Sequence, residues 1–136
     1  MGGYEMIVVD THIIIWNALK PERISKKAEK AISAANNSDG IIFCEISLWE
    51  IAMLMNKGRI IIDIEYVEFI KLILESNKYV LRGISPEIAW LSTDLFSGNN
   101  KDPADRIIAA TSIIEKANLI TADKDLRQSK EVVTIW

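Results

Sequence analysis

Five short apolar runs, each separated from the next by helix-length segments, constrain this chain more than any other feature. Met6-Ile7-Val8-Val9-Asp10 is β-branched at Ile7, Val8 and Val9 and ends in an acid. Ile41-Ile42-Phe43-Cys44, Tyr79-Val80-Leu81, Asn118-Leu119-Ile120-Thr121 and Val132-Val133-Thr134-Ile135 repeat the pattern. Runs this short and this apolar suit strands buried on both faces, which occur in parallel sheets covered by helices. The intervening spacing predicts helices from Thr11 to Leu19, stopped by Pro21, and from Ser25 to about Ala35, with Ala28, Ile32 and Ala35 on one face. Further helices are expected from Ser47 to a C-cap at Gly58, from Asp63 to Ser76, from Ser85 to Phe96, from Pro103 to Lys116 and from Asp123 to Ser129. Residues 1 to 5 form a lead-in, Asn36 to Gly40 a turn, and Ser97 to Lys101 a polar loop. The expected fold is one α/β domain spanning residues 1–136 with a largely parallel sheet.

A length of 136 residues suits a single core. No apolar run reaches the roughly 18 residues a membrane span requires, and no signal-peptide pattern is present, so a cytoplasmic protein without membrane contact is expected. Cys44 is the single cysteine, which excludes an internal disulfide and a cysteine-rich zinc site. The net charge of −3 argues against a broad basic surface for coating DNA. It leaves room for nucleic acid where divalent metal neutralises local carboxylates and nearby lysines supply the remainder.

Four acids fall where parallel α/β folds bind ligands, at strand ends or helix starts. Asp10 closes the first strand, Asp123 follows the strand ending at Thr121, and Glu50 and Asp105 are expected in the first turns of helices. Two carboxylates about 4 Å apart repel by roughly 4 kcal/mol at an effective dielectric near 20. Gathering several therefore calls for protons or a cation, and Mg²⁺ or Mn²⁺ suits oxygen ligands and phosphate substrates. The matching chemistry is phosphodiester hydrolysis. Capping explains the same acids without metal: Ser47-Leu48-Trp49-Glu50 fits a capping box, Asp102 to Asp105 resembles one, and Asp10 and Asp123 can each cap the following helix.

Val8-Val9-Asp10-Thr11-His12 with Trp16, Ser47-Leu48-Trp49-Glu50-Ile51, Asp102-Pro103-Ala104-Asp105-Arg106 and Leu119-Ile120-Thr121-Ala122-Asp123 together resemble the ordered motifs of the PIN domain. More narrowly, they resemble the VapC-type toxins of toxin–antitoxin pairs. The resemblance runs from Ile7 to the end of the chain. It implies a three-layer α/β/α sandwich with a central, mostly parallel sheet, and a Mg²⁺- or Mn²⁺-dependent endoribonuclease acting on RNA. It also implies Asp10, Glu50, Asp105 and Asp123 as the catalytic metal ligands, a homodimer, and an antitoxin protein laid over the site. Ala104 departs from the bulky residue usual at that position, a change that touches packing rather than ligation.

The remaining candidates are weaker. His12 is the only histidine; hard metals prefer oxygen, which favours a structural or hydrogen-bonding role over a general base. Asp102 fits an N-cap better than a ligand, and Thr11 and Thr121 can hydrogen-bond the neighbouring acids. Arg106, Lys101, Lys124 and Arg127 can position a phosphate backbone, although a solvated surface is the better reading for each taken singly. Lys26, Lys27 and Lys30 form a solvated face, and Trp16, Trp49 and Trp90 are expected in core or interface before base stacking. Two other functions are compatible with these residues. One is a non-catalytic partner-binding module whose acids are caps. The other is a metal-dependent phosphatase, disfavoured because no second aspartate follows Asp10 two residues on.

Overall fold

The computed structural model describes residues 6–96 and 102–136. The lead-in at residues 1–5 and the polar loop 97–101, including Lys101, lie outside the described residues. The strands are β1 (Ile7–Val9), β2 (Ile41–Cys44), β3 (Tyr79–Arg82), β4 (Asn118–Ile120) and β5 (Thr134–Ile135). The helices are α1 (Thr11–Leu19), α2 (Lys26–Asn36), α3 (Ile46–Asn56), α4 (Tyr66–Ser76), α5 (Pro86–Asp94), α6 (Pro103–Glu115) and α7 (Lys124–Gln128). Pro21, which cannot continue α1, opens a 3₁₀ turn through Arg23. None of the described helices is long and apolar enough to cross a membrane.

The five strands pair in parallel in the order β3-β2-β1-β4-β5. Alternation along each strand sends its residues to two separate cores. Ile7, Val9, Ile41, Phe43 and Ile120 pack beneath α1, α2 and α4, against residues such as Ile14, Ala28, Ile32 and Phe69. Val8, Ile42, Cys44 and Leu119 pack on the other face against Ile88, Ile108, Ala109 and Leu126 from α5, α6 and α7. The parallel sheet is the one expected from the run pattern, and its two helical layers make the three-layer α/β/α sandwich that the resemblance implies.

The chain builds outward from β1 through β2 to β3, then returns to the other side of β1 for β4 and β5. The order therefore reverses beside β1, and a crevice opens at such a point beyond the carboxyl ends of the strands. Register fixes what meets there. Val9 pairs with Phe43 on one side and Ile120 on the other, so Asp10 and Thr121 leave their strands side by side. The Asp10 N–H extends the ladder by one bond to the Ile120 carbonyl, at 3.2 Å.

Several boundaries differ from expectation. The strand expected over Val132–Ile135 is shorter, Thr134–Ile135: Val132 is buried in the second core, and the exposed Val133 contributes only its carbonyl, which accepts the Leu119 N–H at 2.9 Å. The helix expected from Asp63 begins at Tyr66. Trp49 and Trp90 are not core residues: 58% and 79% of their surfaces are exposed. Trp16 is half-buried against the first core, as expected.

Candidate active site

Asp10 is the N-cap of α1, and its Oδ1 accepts the Ile13 N–H at 3.1 Å. Its other oxygen, Oδ2, accepts the hydroxyl proton of Thr121, 111 residues away in sequence. The same Thr121 oxygen accepts the Asp123 N–H at 3.0 Å. Asp123 in turn caps α7 by accepting the Leu126 N–H at 3.0 Å. One buried hydroxyl thus ties the carboxyl end of β1 to the turn after β4.

A second chain of hydroxyls starts at the next residue. Thr11 Oγ1 donates to Glu50 Oε1 and lies 2.8 Å from Ser47 Oγ. Since a hydroxyl has one proton and Thr11 gives its own to the carboxylate, Ser47 donates to Thr11. This overturns the expected capping box. The helix begins at Ile46, no side chain caps its first turn, and Ser47 is fully buried against α1. Glu50 consequently lies in the second turn rather than the first, turned toward Thr11 instead of a free backbone N–H.

Burial raises the pKa values of Asp10 and Glu50 above their ordinary ranges. Desolvation is the largest cause at both, opposed by the Thr121 hydroxyl at Asp10 and the Thr11 hydroxyl at Glu50. Smaller electrostatic couplings show which charges share the crevice. Asp10 feels His12 and Asp123, whereas Glu50 feels Asp102, His12 and Asp10. The exposed His12 is thus near both acids and favours their charged forms.

Asp102 is the expected N-cap of α6, accepting the Asp105 N–H at 3.0 Å. Asp102 and Glu50 line one apolar hollow with Trp49, Pro103 and Ala104. Asp105 lies in the first turn of α6 and is partly buried, as is Arg106. Arg106 donates to the Leu95 carbonyl at the end of α5, so a structural tie accounts for at least one of its donors.

Asp10, Glu50, Asp102 and Asp123 therefore converge through mutual fields and shared hydroxyls. Among the described residues, however, no three His, Cys, Asp or Glu side chains form a ready-made metal-holding group. The chemistry of the donors suits a hard divalent cation. They are carboxylate oxygens, partly desolvated and mutually repelling, while Cys44 is buried in the second core. A carboxylate oxygen that accepts one hydroxyl still has lone pairs for an ion. Ser47 was missed as part of this arrangement because its sequence context is that of a cap; its true partner is 36 residues away.

Comparisons with known proteins follow the same lines. The family model described as PIN domain matches residues 7–132. Ribonuclease VapC22 of Mycobacterium tuberculosis is 33% identical over 132 residues, covering 96% of this chain and 98% of that protein. A toxin-antitoxin complex from Klebsiella pneumoniae contains a chain with a TM-score of 0.63 at 23% identity, covering 94% of this chain and 96% of that one. VapBC2 from Rickettsia felis, bound to a DNA fragment from its promoter, gives a TM-score of 0.71 at 14% identity, covering 95% and 96%. At these identities the two structures speak for the fold alone.

Proposed function

This chain belongs to the PIN domain family, and on that premise we propose that it is an endoribonuclease of the VapC kind, the toxin of a toxin–antitoxin pair. The observation that carries the site is the Thr121–Asp10 hydrogen bond, which draws acids from opposite ends of the chain to one crevice at the reversal in strand order. Asp10, Glu50 and Asp105 would hold a Mg²⁺ or Mn²⁺ ion, with Asp123 assisting. When bound, the ion supplies Lewis-acid charge that lowers the pKa of water and offsets charge on the phosphate.

The chain's own residues prepare that chemistry. Thr121 and Thr11 fix the rotamers of Asp10 and Glu50 and stabilise their ionised forms against burial. Ser47 holds Thr11 in turn. His12 adds a polar group beside both acids at the exposed rim. Asp102 positions the first turn of α6, and with it Asp105, by capping. The partners are an RNA substrate, an antitoxin protein and a second copy of the chain; the exposed apolar side chains of α3, α4 and α5 are available for the protein contacts.

The test is RNA cleavage by purified protein with and without chelator, beside Asp10→Asn, Glu50→Gln and Asp105→Asn. Chelation and each substitution should abolish cleavage while the folded state survives. Undiminished cleavage after all three substitutions would leave these acids as caps and hydrogen-bond acceptors and nothing more.

A further inference from the structure

Two cavities flank the half-buried rings of Trp16 and Trp136, whose centroids are 6.1 Å apart. One, of about 500 Å³, has Trp136 in its wall with Lys27, Lys124 and Arg127. The other, of about 650 Å³, has Trp16 in its wall with Lys20, Arg23 and Arg59. Among the described residues, no Asp or Glu side chain lines either cavity, although the chain as a whole carries a net charge of −3. The cations come from separate places: the end of α1, the turn after it, α2, the segment after α3, and α7. Folding therefore concentrates six positive side chains about one aromatic pair.

The two cavities differ in a way that matters for a ligand. The first is polar. The second has an apolar floor that includes Ile15 and Ile60, and the Arg23 guanidinium lies 5.7 Å from the Trp16 ring. An apolar wall beside a guanidinium plane suits a flat heterocycle, whereas scattered cations suit phosphates. Both cavities also abut the acids: His12, beside Asp10 and Glu50, lines the second, and Lys124, next to Asp123, lines the first.

We infer that these cavities form a track for a single-stranded RNA segment, with its phosphates on the six cations and bases stacked against the Trp16–Trp136 wall, leading to the carboxylate crevice. The inference rests on the ribonuclease proposal for the direction in which the track leads, but RNA binding to it is measurable without cleavage. A single strand fits because its bases present their faces to aromatic and guanidinium planes; in a duplex those faces are stacked on one another. The charge is local, so it holds a strand at the crevice without making the whole surface basic.

The experiment measures binding of a short fluorescent RNA without secondary structure by anisotropy, in chelator, to full-length protein carrying Asp10→Asn. Lys27→Gln combined with Arg127→Gln should weaken binding by about tenfold and make the slope of log affinity against log salt shallower by about 1.4, roughly 0.7 per lost phosphate contact. Trp136→Ala should weaken binding by about tenfold with the slope unchanged, and Trp136→Phe should restore most of it. Unchanged affinity and slope in the double charge variant overturn the track, whatever the Trp136 variants do. Equal binding of duplex RNA, or of polyglutamate, with equal sensitivity to the substitutions makes the face a general polyanion or protein-binding surface and also overturns it. Cleavage by the otherwise wild-type chain is followed separately. Loss of cleavage in Asp10→Asn with no binding defect in the track variants refutes the track and leaves the nuclease; the converse pattern refutes the nuclease and leaves the track.

Discussion

At the level of single residues, the two desolvated acids make stability depend on pH in a definite direction. The carboxyl pKa values of Asp10 and Glu50 are raised above 3.8 and 4.5 in the folded chain. Between the ordinary and the raised value, the folded chain holds a proton that the unfolded chain has released. Their contribution to metal-free stability is therefore fully present below the ordinary values and is lost as pH rises through the raised ones. Asp10→Asn keeps an oxygen for the Ile13 N–H and removes this loss. In chelator, its melting curve should change less between acid and neutral pH than that of the wild type, and at neutral pH it should melt as high or a few degrees higher. An identical pH dependence in both proteins would show that Asp10 carries no such strain. Thr121 makes the complementary case. Thr121→Val leaves the Asp123 N–H without its side-chain acceptor and Asp10 without its hydroxyl donor. It should cost about 1–3 kcal/mol by chemical denaturation, because buried polar groups lose their partners. It should also cost roughly 10–100-fold in RNA cleavage, as loss of a hydroxyl that orients a ligand does. Thr121→Ser should recover most of both; a valine variant as active as wild type would separate this hydroxyl from the site.

At the level of elements, strand identity was readable because β-branched apolar runs have few other ways to be buried, and most helix starts expected from Ser or Asp signals agree with observed caps, Asp10 among them. Ser25, Ser85, Asp102 and Asp123 each accept a backbone N–H from three residues on. The same signal failed at Ser47. A serine three residues before a glutamate looks like a cap from sequence, but a tertiary partner, Thr11, takes its hydroxyl instead. Gly40 shows how much one connection can demand. Its φ is +104°, and a Cβ there would lie 2.7 Å from the Lys78 carbonyl oxygen, which itself accepts the Ile41 N–H as β2 and β3 begin to pair. Gly40→Ala therefore combines an unfavourable backbone conformation with a clash against backbone that cannot swing aside. It should lower stability by about 2 kcal/mol or more in denaturant titration. Activity per folded molecule should be retained, since Gly40 is at the amino end of β2 and the acids are at the carboxyl ends of β1 and β4. A stability change below about 0.5 kcal/mol, within the range of ordinary surface substitutions, would show that this turn relaxes freely.

At the level of the whole molecule, the order in which strands join the sheet could not be read from the runs themselves, since five similar apolar segments are compatible with several parallel orders. That order decides which acids meet, and so the convergence of Asp10 with Asp123 became visible only with the register of β1 against β4. The outer surface was equally hidden, because helical spacing marks Trp49 and Trp90 as apolar without saying which neighbours cover them. α3 and α5 both pack against α6, which places the exposed Trp49 and Trp90 on the helices flanking it. Val67, 75% exposed, is a further apolar side chain left uncovered, on α4 at the other face of the sheet. Large aromatic side chains are characteristic of the buried centres of protein interfaces, and association removes their apolar area from water. The chain is therefore expected to form a homodimer in which Trp90 is covered. Sedimentation velocity over a range of concentrations should show a dimer for the wild type and a shift toward monomer for Trp90→Lys, whose site on α5 is exposed and whose fold should survive. Trp90 fluorescence, isolated by replacing the other tryptophans with phenylalanine in a variant shown to remain folded, should move to longer wavelength on dilution as the ring returns to water. A wild-type chain that sediments as a monomer at every concentration would instead leave this aromatic surface for the antitoxin alone.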